Sequence, residues 1–165
     1  MLLHTECFNP YHTNCYFLTD EESGSTVIID PGCYFRRERT RVQHLIRLND
    51  WHIVQILATH LHIDHIFGVH FLTKAYGCPF GASPLDNDWI DRAPDRCREV
   101  GLEVRMPFVS PTFSLAHGDT VRFGSRRKPC YFNFILQRVL PVMSCPNNAG
   151  YPLLSDSAVL LSPPH

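Results

Sequence analysis

The chain has 165 residues, of which 44% are hydrophobic and 19% are charged, and this composition is typical of one globular domain with an apolar core. Its 15 basic and 16 acidic residues give a formal net charge of −1, and no long run of Lys or Arg occurs. This balance argues against recognition of nucleic acid or of an anionic membrane surface by bulk charge.

The start of the chain and its cysteines favour a cytoplasmic protein. The first residues do not combine a positive segment with an apolar stretch, and no run approaches the roughly 18 apolar residues that span a bilayer. The seven cysteines are odd in number and scattered, and none forms a CxxC pair. We therefore expect free thiols in a reducing cytosol and no disulfide framework.

The first predicted elements are two short strands, at residues 14–20 and 26–30. The first is rich in apolar residues and the second in β-branched ones, and the polar segment 21–25 between them has the composition of a hairpin turn. The sequence Asp30-Pro31-Gly32 should end the second strand.

A helix, a strand and a second helix are predicted next. The charged segment 36–49 carries part of an apolar helical face, and residues 53–58 form a short apolar run rich in β-branched residues, as a buried strand does. Residues 69–76 should be helical, because Gly77 can end a helix and Pro79 follows it.

The next segments predict polar helices and a strand. Residues 84–101 read as one or two polar helices divided near Ala93-Pro94, and residues 114–124 read as a turn at Gly118-Asp119 followed by a strand. The composition then changes. Residues 126–165 contain one of the 16 acidic residues, Asp156, together with six of the 13 prolines, and show no clear period.

Four potential metal ligands follow the predicted strand 53–58, in the order His60-Leu61-His62-Ile63-Asp64-His65. Side chains two apart in an extended segment point the same way, so we expect His60, His62 and Asp64 to project from one side, with His65 at the turn into a helix. Imidazole suits Zn²⁺, and carboxylate accepts Zn²⁺ or iron. A polar loop with solvated histidines is the alternative, but four donors in six residues favour a metal site.

The segment Thr59 to Gly68 resembles the THxHxDHxxG signature of the metallo-β-lactamase superfamily. Asn14-Cys15-Tyr16, the strand end Val27 to Gly32 and the turn His117 to Gly124 also resemble members close to glyoxalase II. This resemblance implies an α/β fold of the αββα type, in which two packed sheets carry helices on both outer faces and metals lie at one edge. Residues 1–125 would form the N-terminal part of such a domain, and residues 126–165 a tail without a family match.

The resemblance also implies roles for the ligands. His60 and His62 would hold a first metal ion, and Asp64 and His65 a second, with zinc expected and iron or manganese possible. Family members use a metal-held hydroxide as nucleophile, because coordination lowers the pKa of water to about 7. Asp64 would also orient that water or take up a proton. Asp30 resembles an acid that fixes a ligand, although a plain turn former before Pro31 explains it equally well.

The chain departs from the family pattern after Gly124. An HxPGHxPGS motif, an aspartate that bridges the metals and a final histidine ligand complete the sites of such proteins, and this sequence has none of these motifs. Asp156 and His165 lie in no matching motif. The fold is therefore expected to be incomplete in its C-terminal half, either because the reading frame shifts near Ser125 or because the protein is a natural truncated relative.

These observations predict a metal-dependent hydrolase of a small ester or thioester, similar to hydroxyacylglutathione hydrolase (glyoxalase II). The alternative is an inactive fragment that holds at most one metal ion, since two protein ligands per ion are fewer than the three usual at catalytic zinc sites. β-Lactam hydrolysis is less expected because such enzymes are usually exported. A nuclease would need a basic surface. The expected partner is a small molecule, with no nucleic acid and no membrane.

Overall fold

The computed structural model describes residues 1–125 and 129–133. The predictions for residues 126–128 and 134–165 lie outside this part of the chain. The strands are β1 (Leu2–Phe8), β2 (Thr13–Thr19), β3 (Ser25–Ile29), β4 (His52–Leu57), β5 (Phe80–Ala82), β6 (Phe113–Ser114), β7 (Thr120–Gly124) and β8 (Pro129–Asn133). The helices are α1 (Arg36–Leu48), α2 (Ile63–Ile66), α3 (Val69–Tyr76) and α4 (Asp88–Glu99), with a 3₁₀ turn at Pro84–Asp86.

Six strands form one mixed sheet in the order β1-β2-β3-β4-β5-β6. The pairs β1–β2 and β2–β3 are antiparallel, whereas β3, β4, β5 and β6 run parallel to one another. The carboxyl ends of the parallel strands therefore meet at one edge of the sheet. Ligand sites in α/β sheets form preferentially outside this edge.

Both faces of the large sheet are buried. Successive side chains of β2 and β3 alternate between them: Phe17 and Ile28 pack with the helices, and Leu18 and Val27 pack against β7. On the helical side, Val42 and Ile46 of α1 and Val69 and Leu72 of α3 join the core. Four layers were expected, two sheets and two layers of helices. The described residues form three of them, namely both sheets and one helical layer.

The second sheet consists of β7 and β8, which pair in antiparallel register from Thr120–Asn133 to Gly124–Pro129. This pairing extends across the predicted domain boundary between residues 125 and 126. Asp20, at the end of β2, accepts a hydrogen bond from the backbone N–H of Ser125 at 3.0 Å and so connects the two sheets. The boundary at residue 125 stays a prediction.

Most predicted elements of the N-terminal part are confirmed, with small differences in their ends. The strands at 14–20, 26–30 and 53–58 correspond to β2, β3 and β4, and the helix at 36–49 corresponds to α1. Helix α3 ends at Gly77, which adopts a left-handed conformation with φ of 64°. Ile53, the first residue of the run that predicted a buried strand, is only half-buried.

The predicted division of the segment 84–101 near Ala93-Pro94 is wrong. Helix α4 continues through Pro94, and the break lies before Asp88, where the 3₁₀ turn ends. Pro94 removes one backbone hydrogen bond from the helix. Burial of Ile90, Ala93 and Cys97 along one face keeps the helix intact despite this loss.

Two further findings concern membrane helices and disulfides. Among the described residues, no helix is long and apolar enough to cross a membrane. Six cysteines lie in this part of the chain, and all six are free thiols. Cys145 lies outside it.

Candidate metal centre

The loop that carries the histidines leaves the carboxyl end of β4, in the middle of the parallel strands. Asp30 at the end of β3 fixes the start of this loop: its carboxylate accepts hydrogen bonds from the backbone N–H and the hydroxyl of Thr59, each at 2.7 Å. Asp30 is fully buried and has a positive φ of 53°. The geometry therefore favours the interpretation of Asp30 as an acid that fixes the loop of the predicted ligands, in addition to its place in the turn.

The expected alternation of side chains holds for only part of the motif. His62 is extended, with φ of −66° and ψ of 147°, but helix α2 begins at the next residue, Ile63. Asp64 therefore lies on a helical turn with His65, and its direction follows the helical period of 3.6 residues instead of the strand period of two. The prediction that His60, His62 and Asp64 project from one extended segment was wrong for Asp64.

The structure nevertheless brings the four predicted ligands together. The His60 ring centroid lies 4.5 Å from that of His62 and 4.0 Å from that of His65. His65 Nε2 lies 3.4 Å from Asp64 Oδ2, and His65 Nδ1 lies 3.1 Å from Asp30 Oδ2. We refer to His60, His62, Asp64 and His65 as the HxHxDH cluster.

Two residues where β1 connects to β2, Asn9 in the turn and Thr13 at the start of β2, support Asp64. The hydroxyl of Thr13 donates a hydrogen bond to Asp64 Oδ2 at 2.7 Å. The side-chain amide of Asn9 donates to the backbone carbonyls of Asp64 and Gly32, at 2.9 Å and 3.0 Å. Asn9 itself has a positive φ of 57°, a conformation that asparagine tolerates better than most residues. Both supports come from a part of the chain about 50 residues before the cluster.

The surroundings of the three histidines shift their pKa values in different directions. Burial and the neighbouring His65 lower the pKa of His60 to about 4, and burial also lowers the pKa of His62. Burial acts in the same direction on His65, but the carboxylates of Asp30 and Asp64 outweigh it and raise the pKa of His65. His60 and His62 are therefore neutral near pH 7, and only a neutral imidazole can donate its lone pair to a metal.

The ligand types of the cluster fit a zinc or iron ion, because it combines three imidazoles with one carboxylate. In their present positions, however, no three His, Cys, Asp or Glu side chains within residues 1–125 and 129–133 form a group that could hold a metal ion. His65 is directed toward Asp30 and Asp64 instead. These donors would have to converge further to share one ion.

Helix α4 borders the cluster. The Trp89 ring centroid lies 4.5 Å from that of His62, in an edge-on arrangement, and the Arg96 guanidinium lies 5.3 Å from the Trp89 ring centroid. A cleft of about 250 Å³ is lined by Ala82, Asn87, Asp91 and residues 110–114. No residue of the HxHxDH cluster lines this cleft.

Sequence reasoning missed Asn9, Thr13 and Trp89. Asn9 and Thr13 lie close to the Asn14-Cys15-Tyr16 segment that resembles the family. This proximity is the one sequence signal that could have indicated their place near the site. Trp89 lies 27 positions after His62, and no sequence pattern connects the two residues. Their contact arises only because α4 packs on the core through Ile90.

Comparison with known proteins identifies the family. The family model described as the metallo-β-lactamase superfamily matches residues 8–131. An uncharacterized protein of Aquifex aeolicus (strain VF5) is 34% identical over 121 residues, which cover 70% of this chain and 51% of that protein. A hydroxyacylglutathione hydrolase of Bdellovibrio bacteriovorus is 33% identical over 95 residues, which cover 53% of this chain and 36% of that enzyme. The chain thus spans about half, or less, of these relatives.

Solved structures show the same fold. The BLEG-1 B3 metallo-β-lactamase superposes with a TM-score of 0.65 at 21% identity, over 80% of this chain and 59% of that one. TTHA1623 in a di-iron-bound form superposes with a TM-score of 0.62 at 28% identity, over 72% of this chain and 56% of that one. The expected α/β fold is therefore confirmed. Because the family model also covers more than half of the sequence, this chain belongs to the metallo-β-lactamase superfamily.

Proposed function

We propose that the chain supplies the metal-binding part of a metal-dependent hydrolase that acts on a small ester or thioester, with the HxHxDH cluster as its metal ligands. The observation that carries this proposal is the contact of the His60 ring with two other imidazoles at the carboxyl end of β4. Its centroid lies 4.5 Å from that of His62 and 4.0 Å from that of His65. Relatives named hydroxyacylglutathione hydrolase support a thioester substrate.

A bound divalent ion would supply Lewis acidity, which polarises a carbonyl group and makes water acidic enough to deprotonate near pH 7. The residues of the chain prepare this chemistry. His60 and His62 are neutral and can donate lone pairs, and Asp30 keeps the His65 ring close to Asp64. Thr13 fixes the Asp64 carboxylate, which we propose as the catalytic group that orients water or takes up a proton.

We expect zinc first, because imidazole is a preferred ligand of Zn²⁺, with iron or manganese as alternatives. The di-iron form of TTHA1623 makes iron a reasonable second choice. The cluster offers four side chains, which suffice for one ion and leave two ions with two ligands each. A single ion is therefore the expected stoichiometry for the described residues.

Metal binding tests the ligand assignment. The metal-free 165-residue chain, titrated with Zn²⁺ in a calorimeter, should take up one equivalent, and the double variant His60→Ala/His62→Ala should lose this binding. His117→Ala is the matched control, because His117 lies exposed in the turn before β7. Equal zinc uptake by the double variant and the unaltered chain would refute the assignment.

Hydrolysis of an S-acylglutathione thioester tests the activity. Turnover that depends on added zinc and disappears with a chelator supports the hydrolase. The second candidate, a protein that binds one ion without catalysis, is favoured because the HxHxDH cluster offers four side chains, enough for one ion but too few for two. Zinc binding without turnover would support this second candidate and contradict the hydrolase.

A further inference from the structure

We propose that Trp89 is a positioning residue for His62, which it holds through an aromatic contact in place of a hydrogen bond. This inference rests on the proposed metal site and adds a residue of α4 to it. It concerns the orientation of one ligand, and it does not assign Trp89 a direct role in the chemistry.

The four members of the HxHxDH cluster differ in how they are held. His60 Nδ1 lies 3.1 Å from the Thr59 hydroxyl, His65 Nδ1 lies 3.1 Å from Asp30 Oδ2, and Asp64 Oδ2 accepts the Thr13 hydroxyl. His62 has no such polar neighbour: within the described residues, its ring makes neither a hydrogen bond nor an ion pair, and it meets the rings of His60 and Trp89 edge-on. Metal-binding histidines almost always have a partner at the second ring nitrogen that fixes the ring.

Trp89 is suited to replace such a partner. Its ring meets that of His62 at an interplanar angle of 67° with 4.5 Å between centroids, the edge-to-face arrangement that aromatic pairs favour. The indole is half-buried and packs against the main core. Its backbone belongs to the first turn of α4, whose inner face is anchored by Ile90, Ala93 and Cys97.

Arg96 restrains Trp89 from another direction. It follows Trp89 by seven residues, which is close to two helical turns, so both side chains emerge on the same face of α4. Helical side chains lean toward the N-terminus, and the Arg96 guanidinium accordingly reaches back to 5.3 Å from the Trp89 ring centroid. Glu99 pairs with this guanidinium at 2.7 Å and fixes it in turn. The contacts Glu99–Arg96–Trp89–His62 thus run without a gap from the exposed face of α4 to the HxHxDH cluster.

Fluorescence provides the first test. The chain has two tryptophans, and Trp51 lies elsewhere, stacked on Phe17. In a Trp51→Phe protein the emission comes from Trp89 alone. We expect Co²⁺, an ion that quenches indole emission at short range, to quench this emission with saturation near one equivalent. Saturable Co²⁺ binding that leaves the emission unchanged would overturn the proposal, because the indole would then be remote from the ion.

Affinity provides the second test, measured by competition with a chromophoric chelator. Trp89→Ala should weaken Co²⁺ binding by about tenfold, whereas Trp89→Phe, which retains an aromatic ring, should stay within about threefold of the unaltered chain. Arg98→Ala is the control on the same helix, because Arg98 is exposed and pairs with Asp95. Thermal unfolding of the metal-free variants shows whether each one folds.

The outcomes separate the two proposals. Equal affinities of the unaltered chain, Trp89→Phe and Trp89→Ala would overturn the role of Trp89 and leave the metal site standing. A Trp89→Ala protein that does not fold leaves Trp89→Phe and the quenching experiment to decide. Absence of Co²⁺ and Zn²⁺ binding in the unaltered chain would refute the metal site itself, and the role of Trp89 with it.

Discussion

The buried carboxylate of Asp30 accepts both hydrogen bonds that Thr59 can donate, one from its backbone N–H and one from its hydroxyl, each at 2.7 Å. Asp30 follows β3 and Thr59 follows β4, so this pair joins the ends of two parallel strands where the loop with the HxHxDH cluster begins. A buried carboxylate is tolerated only when its oxygens are satisfied, and Thr59 supplies that compensation.

Replacement of the Thr59 hydroxyl should therefore destabilise the fold. Thr59→Val keeps the shape and the backbone bond but leaves Asp30 Oδ2 without the hydroxyl, and we expect the free energy of unfolding to fall by about 1.5–3 kcal/mol. Urea unfolding of the metal-free chain measures this change. Thr59→Ser, which retains a hydroxyl, is the control and should lose clearly less. Equal stability of the Val and Ser variants would contradict the role given to this bond.

Thr13 should influence metal affinity without being a ligand. Thr13→Val removes the donor to Asp64 Oδ2, so the carboxylate loses its fixed orientation, and Zn²⁺ binding should weaken by about tenfold. Calorimetric titration with Zn²⁺ gives the affinity, and Thr13→Ser should restore it. An unchanged affinity for Thr13→Val would show that Asp64 is fixed by other contacts or does not bind the metal.

Gly68 should not tolerate a side chain. A Cβ atom at this position would lie 2.3 Å from Cys33 Sγ and 2.6 Å from the Pro31 carbonyl, so Gly68→Ala should destabilise the chain by about 1–3 kcal/mol. In a Gly68→Ala/Cys33→Ala protein the sulfur contact is absent, and part of the loss caused by Gly68→Ala should disappear. A double-mutant cycle based on urea unfolding measures this coupling. Strict additivity of the two substitutions would contradict the predicted clash.

The thiols should differ in reactivity according to burial. Cys15 and Cys33 are fully buried, and burial raises the pKa of both, for Cys33 to about 12, so that neither forms the reactive thiolate near pH 8. Cys7 is exposed, although partial burial and nearby acids raise its pKa as well. Iodoacetamide should thus alkylate Cys7 in the folded chain, faster as the pH rises, and reach Cys15 and Cys33 only after unfolding in guanidinium. Peptide mapping by mass spectrometry gives the order, and early labelling of Cys33 would contradict it.

The local sequence pattern was sufficient to predict the strands and helices whose own residues carry a strong signal. The apolar run of β4, the amphipathic face of α1 and the glycine that ends α3 all act within a few residues. Strands β5 and β6 have three and two residues, and they exist because the sheet edge provides partners for them. Strand β1 is largely exposed at the opposite edge and shows little apolar alternation. Such strands depend on tertiary pairing, which a single sequence does not display.

The residues of the candidate site also fall into those that the sequence predicts and those that it does not. The spacing of His60, His62 and His65 marks potential ligands because donor type and proximity are both visible in the sequence. The helical position of Asp64 was not visible, since a four-residue helix has almost no period. Thr13 contacts Asp64 from 51 positions earlier in the chain, and Trp89 contacts His62 from 27 positions later. Only the packed fold brings these residues together.

The side chain of Asn9 has a consequence for local opening of the protein. Its amide connects the turn after β1 to the carbonyls of Gly32 and Asp64, three segments that are far apart in the sequence. Helix α2 has only four residues and cannot persist without such anchors. Amide hydrogens of α2 should therefore exchange with solvent together with those near Asn9, as one cooperative unit. The edge of the sheet and the histidine loop would then open in a single event, so the HxHxDH cluster keeps its arrangement only as long as the first turn of the chain holds.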